Sequence, residues 1–199
     1  MRNAFIALVV GSAAFCACGA SCLPTGNEQP ITFNDSFETG LAAWTQGADV
    51  PEDPNNPGQP VAWSIAQSTD QAIDGQYSAR FFLDGSQDDG TIWLVREFDV
   101  TAGRTYGVTL RFALWSESES FNTLAKVAVY AGGEAPDAEA DFNVDMVANE
   151  VTGWKTYTYV VDATATGNGK IRVAFGISAV FETEMTYYID DVEIQIAPK

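Results

Sequence analysis

The chain has 199 residues, with 27 acidic side chains against ten basic ones, no histidine, and a formal net charge of −17 at neutral pH. A surface this acidic repels phosphate backbones and anionic headgroups, which sets nucleic acid aside as a partner. Without histidine, Ser-His-Asp and Cys-His catalysis and the usual His/Cys zinc sites are excluded, while 46% hydrophobic and 12% aromatic residues supply a sizeable core.

The first segment joins a short basic start, Met1-Arg2-Asn3, to an apolar run from Ala4 to Phe15. The run is short for a membrane-spanning helix and reads as a signal peptide. All three cysteines follow it, at positions 16, 18 and 22, whereas a disulfide framework would scatter them through the domain. Their clustering resembles a bacterial lipobox with Cys18 or Cys22 as the lipidated residue; ordinary cleavage near Ala20 with release is the alternative. Both place the protein outside the cytoplasm, as a cell-envelope lipoprotein or a secreted protein that meets a membrane only through a lipid anchor. Residues 1–22 are read as the leader, 23–30 as a polar tether, and 31–197 as one β-sandwich domain, expected to be a monomer.

Beyond the tether the apolar residues alternate. Tyr77, Ala79, Phe81 and Leu83 share a face opposite Ser78, Arg80 and Asp84. Val108, Leu110, Phe112 and Leu114 alternate with Thr109, Arg111, Ala113 and Trp115, and Ile171, Val173, Phe175 and Ile177 with Arg172, Ala174 and Gly176. Period-two runs separated by turns such as Asp74-Gly75, Ala102-Gly103, Gly132-Gly133 and Gly167-Asn168-Gly169 predict an all-β sandwich of about ten antiparallel strands with jelly-roll topology. Val50 to Pro60, with four prolines, reads as a long exposed loop, and the acidic Glu134 to Asp141 stretch with Pro136 as another.

The domain opens on Phe33-Asn34-Asp35-Ser36-Phe37-Glu38-Thr39-Gly40 with Trp44 and closes on Tyr187-Tyr188-Ile189-Asp190-Asp191-Val192-Glu193-Ile194. Between them lie Asp74-Gly75-Gln76-Tyr77-Ser78, Val100 to Tyr106, and Gly153-Trp154-Lys155-Thr156-Tyr157. In this order the five segments resemble the galactose-binding-like jelly rolls, in particular carbohydrate-binding modules of the family-four and family-nine type. The resemblance implies a non-catalytic module with a polysaccharide or other glycan as its partner, and a structural calcium where the first strand meets the last. It assigns that calcium to Glu38, Asp190 and Asp191, with Ser78 and the carbonyls near Gly75 beside them. Residue parity adds a reason: Asp190 shares parity with Val192, Ile194 and Ile196, so its carboxylate is expected to face inward, where it needs a partner or a metal.

Sugar rings pack on flat aromatic faces while neighbouring polar groups fix their hydroxyls. Trp115, on the outward parity of its strand with Arg111, is the leading stacking candidate, with Trp93, Trp63 and Tyr130 behind it. Trp44 and Trp154 are assigned to the fold, and one of Tyr187 and Tyr188 to the core. No carboxylate pair stands apart as a glycosidase pair would, and no glycine-rich loop joins a strand to a helix, so the chain is not expected to be an enzyme. A surface domain that contacts protein and binds no glycan is the other reading.

Overall fold

The structure is a computed structural model that describes residues 28–85, 87–117 and 124–199; the leader, Cys18 and Cys22 and all but the last residues of the tether lie outside the described residues. Eleven strands carry the alternation: β1 (Ile31–Asp35), β2 (Thr45–Asp49), β3 (Trp63–Ser68), β4 (Ser78–Leu83), β5 (Thr91–Asp99), β6 (Thr105–Ser116), β7 (Ala125–Gly132), β8 (Asn143–Val147), β9 (Gly153–Thr164), β10 (Lys170–Ala179) and β11 (Met185–Pro198). Among the described residues a single 3-10 turn, Glu139–Asp141, falls inside the stretch expected to be loop. No described helix is long and apolar enough to cross a membrane.

All the ladders are antiparallel and form two sheets. The first runs β3-β4-β11-β6-β9, and the second β2-β5-β10-β7-β8. Strand β11 is long enough to take two partners in series on one side: β4 along Met185–Ile189, then β1 along Val192–Ile196. The inward faces meet in one core that includes Leu83, Leu110, Phe112, Leu114, Ile171, Phe175, Ile177, Ile189 and Ile194. This is the all-β jelly-roll sandwich expected from the alternation, because each strand hides alternate side chains between the sheets.

The first turn is built by Asp35. Its Oδ1 accepts the Phe37 N–H at 2.8 Å and its Oδ2 the Trp44 indole N–H at 2.8 Å. Phe37 is driven to a positive φ of 60° and is fully buried, while Trp44 packs edge-on against Phe175 at 5.0 Å. Trp44 is thus a core residue, as the sequence implied.

Parity along β11 is not constant. Asp190 stands opposite Ala113 of β6, but Glu193 stands opposite Arg111, so β11 spends three steps where β6 spends two. The extra residue is a β-bulge, with Asp191 at φ 51°. A one-residue offset exchanges the faces. Asp190 therefore shares the outward face of Tyr188, and the expectation that it points inward with Val192 is corrected. It is nonetheless fully buried, because the 70–77 segment folds over it: the Asp190 Oδ2 accepts the backbone N–H groups of Ile73 (2.9 Å) and Asp74 (3.0 Å).

Candidate functional site

Register across the first sheet builds the site. Arg80 on β4 stands opposite Tyr188 on β11, Tyr188 opposite Trp115 on β6, and Trp115 opposite Trp154 on β9. The neighbours of these residues along each strand, Ala79 and Phe81, Tyr187 and Ile189, and Leu114, lie in the core. Arg80, Tyr188, Trp115 and Trp154 consequently form one row on the outer face, crossing four strands at about 4.8 Å each. Trp115 and Trp154 are half-buried, and the Tyr188 ring meets Trp115 edge-to-face at 5.4 Å. The Tyr188 hydroxyl reaches the Asp70 carboxylate at 3.4 Å, and burial raises its pKa above the ordinary tyrosine value. The Arg80 guanidinium lies 5.3 Å from the centre of the Phe82 ring. One end of the row is thus cationic and the rest aromatic.

Arg111 occupies the same face of β6, four residues from Trp115 and so about 14 Å along the strand. The Ala113–Asp190 pair lies between them, with Asp190 roofed by the 70–77 segment. The Arg111 guanidinium is held by Asp191 at 2.9 Å and lies 4.0 Å from Glu193. The structure brings Trp115 together with Arg80, and sets Arg111 apart from it.

The other aromatic candidates are elsewhere. Trp93, on β5 of the second sheet, is 3% exposed; its ring fills the space over Gly47, and Phe142 packs on it at 5.0 Å. The segment that carries Phe142 is pinned to that face by Glu139, whose Oε2 accepts the hydroxyls of Thr91 (2.5 Å) and Ser178 (2.9 Å). Tyr130 is half-buried against Phe142, and its hydroxyl donates to the Glu134 carbonyl at 2.8 Å. Trp63 has inward parity and packs against the main core from the sheet edge. Sequence reasoning missed Trp154, Tyr188 and Arg80 as a group. The signal available was the outward parity of Trp154 against inward Tyr157 and Tyr159, and of Tyr188 against inward Tyr187.

Glu38 and Asp190 converge on a single loop. The Glu38 Oε1 accepts the N–H groups of Gln76 and Tyr77, each at 2.8 Å, and Asp190 accepts those of Ile73, Asp74 and, on Oδ1, Asp191 at 2.7 Å. Desolvation outweighs these hydrogen bonds and raises the Asp190 pKa above the ordinary carboxylate value. Ser78 is buried beside them and donates to the Gln71 carbonyl at 2.5 Å. Among the described residues no group of three or more His, Cys, Asp or Glu side chains comes together to hold a metal. Calcium, however, takes much of its shell from carbonyls. Where two N–H groups saturate one oxygen, the second oxygen of each carboxylate keeps acceptor capacity. Spare acceptor capacity of this kind lies on Glu38 and Asp190, whereas the Asp191 carboxylate is turned toward Arg111.

Where β6 ends and β11 begins lies a cavity of about 170 Å³ lined by Ser116, Glu117, Leu124, Thr183, Glu184, Met185, Thr186 and Tyr187. The Tyr187–Ser116 pair on its wall is one residue beyond the Tyr188–Trp115 pair and therefore faces the opposite, inward side of the sheet.

No protein-family model matches the chain, and no curated protein matches it. Solved structures do. The K3 cleaved adhesin domain of Lys-gingipain from Porphyromonas gingivalis is 17% identical, with a TM-score of 0.50 over 84% of this chain and 99% of that one. A family-61 carbohydrate-binding module in complex with β-1,4-galactotriose is 19% identical, with a TM-score of 0.46 over 80% and 92%. The CBM22-1 xylan-binding domain of Xyn10C from Paenibacillus barcinonensis is 14% identical, with a TM-score of 0.45 over 84% and 94%. At these identities the likeness is one of fold.

Proposed function

We propose that this is a non-catalytic carbohydrate-binding domain acting outside the cytoplasm, and that the outer face of the β3-β4-β11-β6-β9 sheet is its binding surface. The observation that carries the reading is the row Arg80–Tyr188–Trp115–Trp154. Outward positions of an antiparallel sheet are ordinarily polar, and the half-buried Trp115 and Trp154 there, with the buried Tyr188 packed beside Trp115, offer what a pyranose C–H face packs against. Arg80 at the end of the row supplies fixed donors for hydroxyl oxygens. No bond is made or broken: the side chains orient the sugar and exclude water from its apolar face. The chain's negative charge disfavours anionic polysaccharides and favours neutral or cationic ones.

Calcium belongs to the same reading as a structural ion. Glu38 and Asp190 would hold it, and it would offset the charge of a buried carboxylate and brace the 70–77 loop beside the row. Affinity electrophoresis through neutral glucans, xylans and mannans, with and without a chelator, tests the function. Retardation by at least one polymer, weakened about tenfold or more in Trp115→Ala and Trp154→Ala, is expected; tenfold corresponds to about 1.4 kcal/mol. A folded protein that no polymer retards would leave the face as a protein-contact surface instead.

A further inference from the structure

The cationic end of the aromatic row also holds an acid. Asp70 lies two residues past the end of β3, where its N–H donates to the Ser68 hydroxyl at 3.1 Å and its carboxylate accepts the Tyr188 hydroxyl at 3.4 Å. Burial and the Asp70 charge raise the pKa of that phenol, while the Arg80 guanidinium draws it back down. Both charges therefore bear on one hydroxyl, and they do not close on each other. Six basic residues of this acidic chain, Arg104, Arg111, Lys155, Lys170, Arg172 and Lys199, pair with carboxylates, but none of the ion pairs among the described residues includes Arg80. Its guanidinium lies over the Phe82 ring and reaches the Thr186 hydroxyl only at a long 3.5 Å, so most of its five donors are uncommitted. The exposed Asp70 carboxylate likewise keeps most of its acceptor capacity.

A guanidinium only donates and a carboxylate only accepts. Two such groups, set apart by one hydroxyl, complement a pair of neighbouring alcohols: one donates to Asp70, and the oxygen of the next accepts from Arg80. Both bonds are charge-assisted and stronger than bonds between neutral groups. A sugar carboxylate or ammonium would satisfy one charge and be repelled by the other, so the pair suits a neutral ring. Neighbouring free alcohols are a property of linkage. A pyranose inside a 1,4-linked chain keeps its 2- and 3-hydroxyls, which are adjacent. A hexopyranose inside a 1,3-linked chain keeps those at 2, 4 and 6, none of which are adjacent. A chain packed on Trp154 and Trp115 and crossing the strands passes Tyr188 and arrives at Arg80, two strands and about 10 Å from Trp115.

We infer that Asp70 and Arg80 are the specificity-determining pair of this face, bracketing the free 2,3-diol of a neutral 1,4-linked glycan. The inference rests on the proposed glycan-binding face and adds the linkage class that the face selects.

The test is affinity electrophoresis of the purified chain through a β-1,4-glucomannan and through a linear β-1,3-glucan. The 1,4-linked polymer should bind at least about tenfold tighter, as hydrogen bonds to charged groups allow. Asp70→Ala and Arg80→Gln should each lower its affinity toward that of the 1,3-linked polymer and leave the latter unchanged, whereas Trp115→Ala should weaken both alike; melting curves establish that the variants are folded. A purely structural role for the pair would weaken both polymers together and leave their ratio intact. Equal affinity for the two linkages, a preference for the 1,3-linked chain, or a preference that survives both substitutions overturns the pair while leaving the aromatic face standing. Retardation by neither polymer also overturns the pair, and the face falls with it if no neutral polymer retards the folded chain.

Discussion

Two tryptophans, one on each sheet, differ in burial, which sets the packing role of Trp93 against the ligand role proposed for Trp115. Trp93 is 3% exposed beneath Phe142, and Trp115 is half-buried beside Tyr188. Replacing Trp93 with alanine leaves a cavity, and a loss of about 3–5 kcal/mol is expected, or about 10 °C in Tm for a domain of this size. Trp115→Ala should cost about 1 kcal/mol, or about 3 °C, while removing sugar binding. Thermal melts of the two variants side by side decide the matter; equal large losses would make Trp115 a core residue. The acidic pair Glu38 and Asp190 gives a second expectation at this scale. If calcium is bound there, adding it at about one hundred times its Kd should stabilise the fold by about 2.7 kcal/mol. A chelator should reverse the gain, and Glu38→Gln should blunt it. Melting curves that coincide with and without calcium would mean that the two carboxylates serve the loop's N–H groups alone.

The strands themselves were legible because period-two alternation is written into consecutive residues. Val108 to Leu114 and Ile171 to Ile177 fall in β6 and β10 with the inward faces expected. What joins residues on different strands was not legible. Register decides that Trp154 stands opposite Trp115 and Arg80 opposite Tyr188, and no local pattern encodes register. The bulge at Asp191 is a single added residue with no compositional mark, yet it inverted the reading of Asp190. Short terminal arms follow the same logic. Glu28, just ahead of β1, accepts the Tyr106 hydroxyl on both oxygens at 2.8 and 2.7 Å and pairs with Arg104 at 3.3 Å. The bond from the Tyr106 phenol holds the Glu28 carboxyl below its ordinary value of 4.5. A carboxylate with a lowered folded pKa contributes stability that is present above its unfolded pKa and is lost as pH falls through the folded one. Glu28→Gln should therefore melt below the parent at about pH 6, with the gap closing below about pH 4. A gap independent of pH would make the contact one of packing.

Over the whole molecule, a net charge of −17 means that the folded chain repels itself. Raising monovalent salt from about 10 to 150 mM shortens the Debye length from about 30 to 8 Å, and Tm measured in the presence of chelator should rise with it. A Tm that falls instead would show that the ion pairs, such as those of Lys170 with Glu97 and Asp99, outweigh the repulsion. The same charge repels other acidic surfaces, in keeping with the neutral glycan proposed as the partner. The docking of Glu28 on Tyr106 also has a bearing on presentation. Ile31 pairs with Ile196, and the Lys199 N–H bonds to the Thr105 carbonyl, so both arms leave the sandwich where β6 begins. Trp115 lies about 30 Å away along that strand. Whatever is attached at either arm, whether a bead, a fusion partner or a surface, holds the aromatic row at the far tip, aimed outward and free of its own mooring.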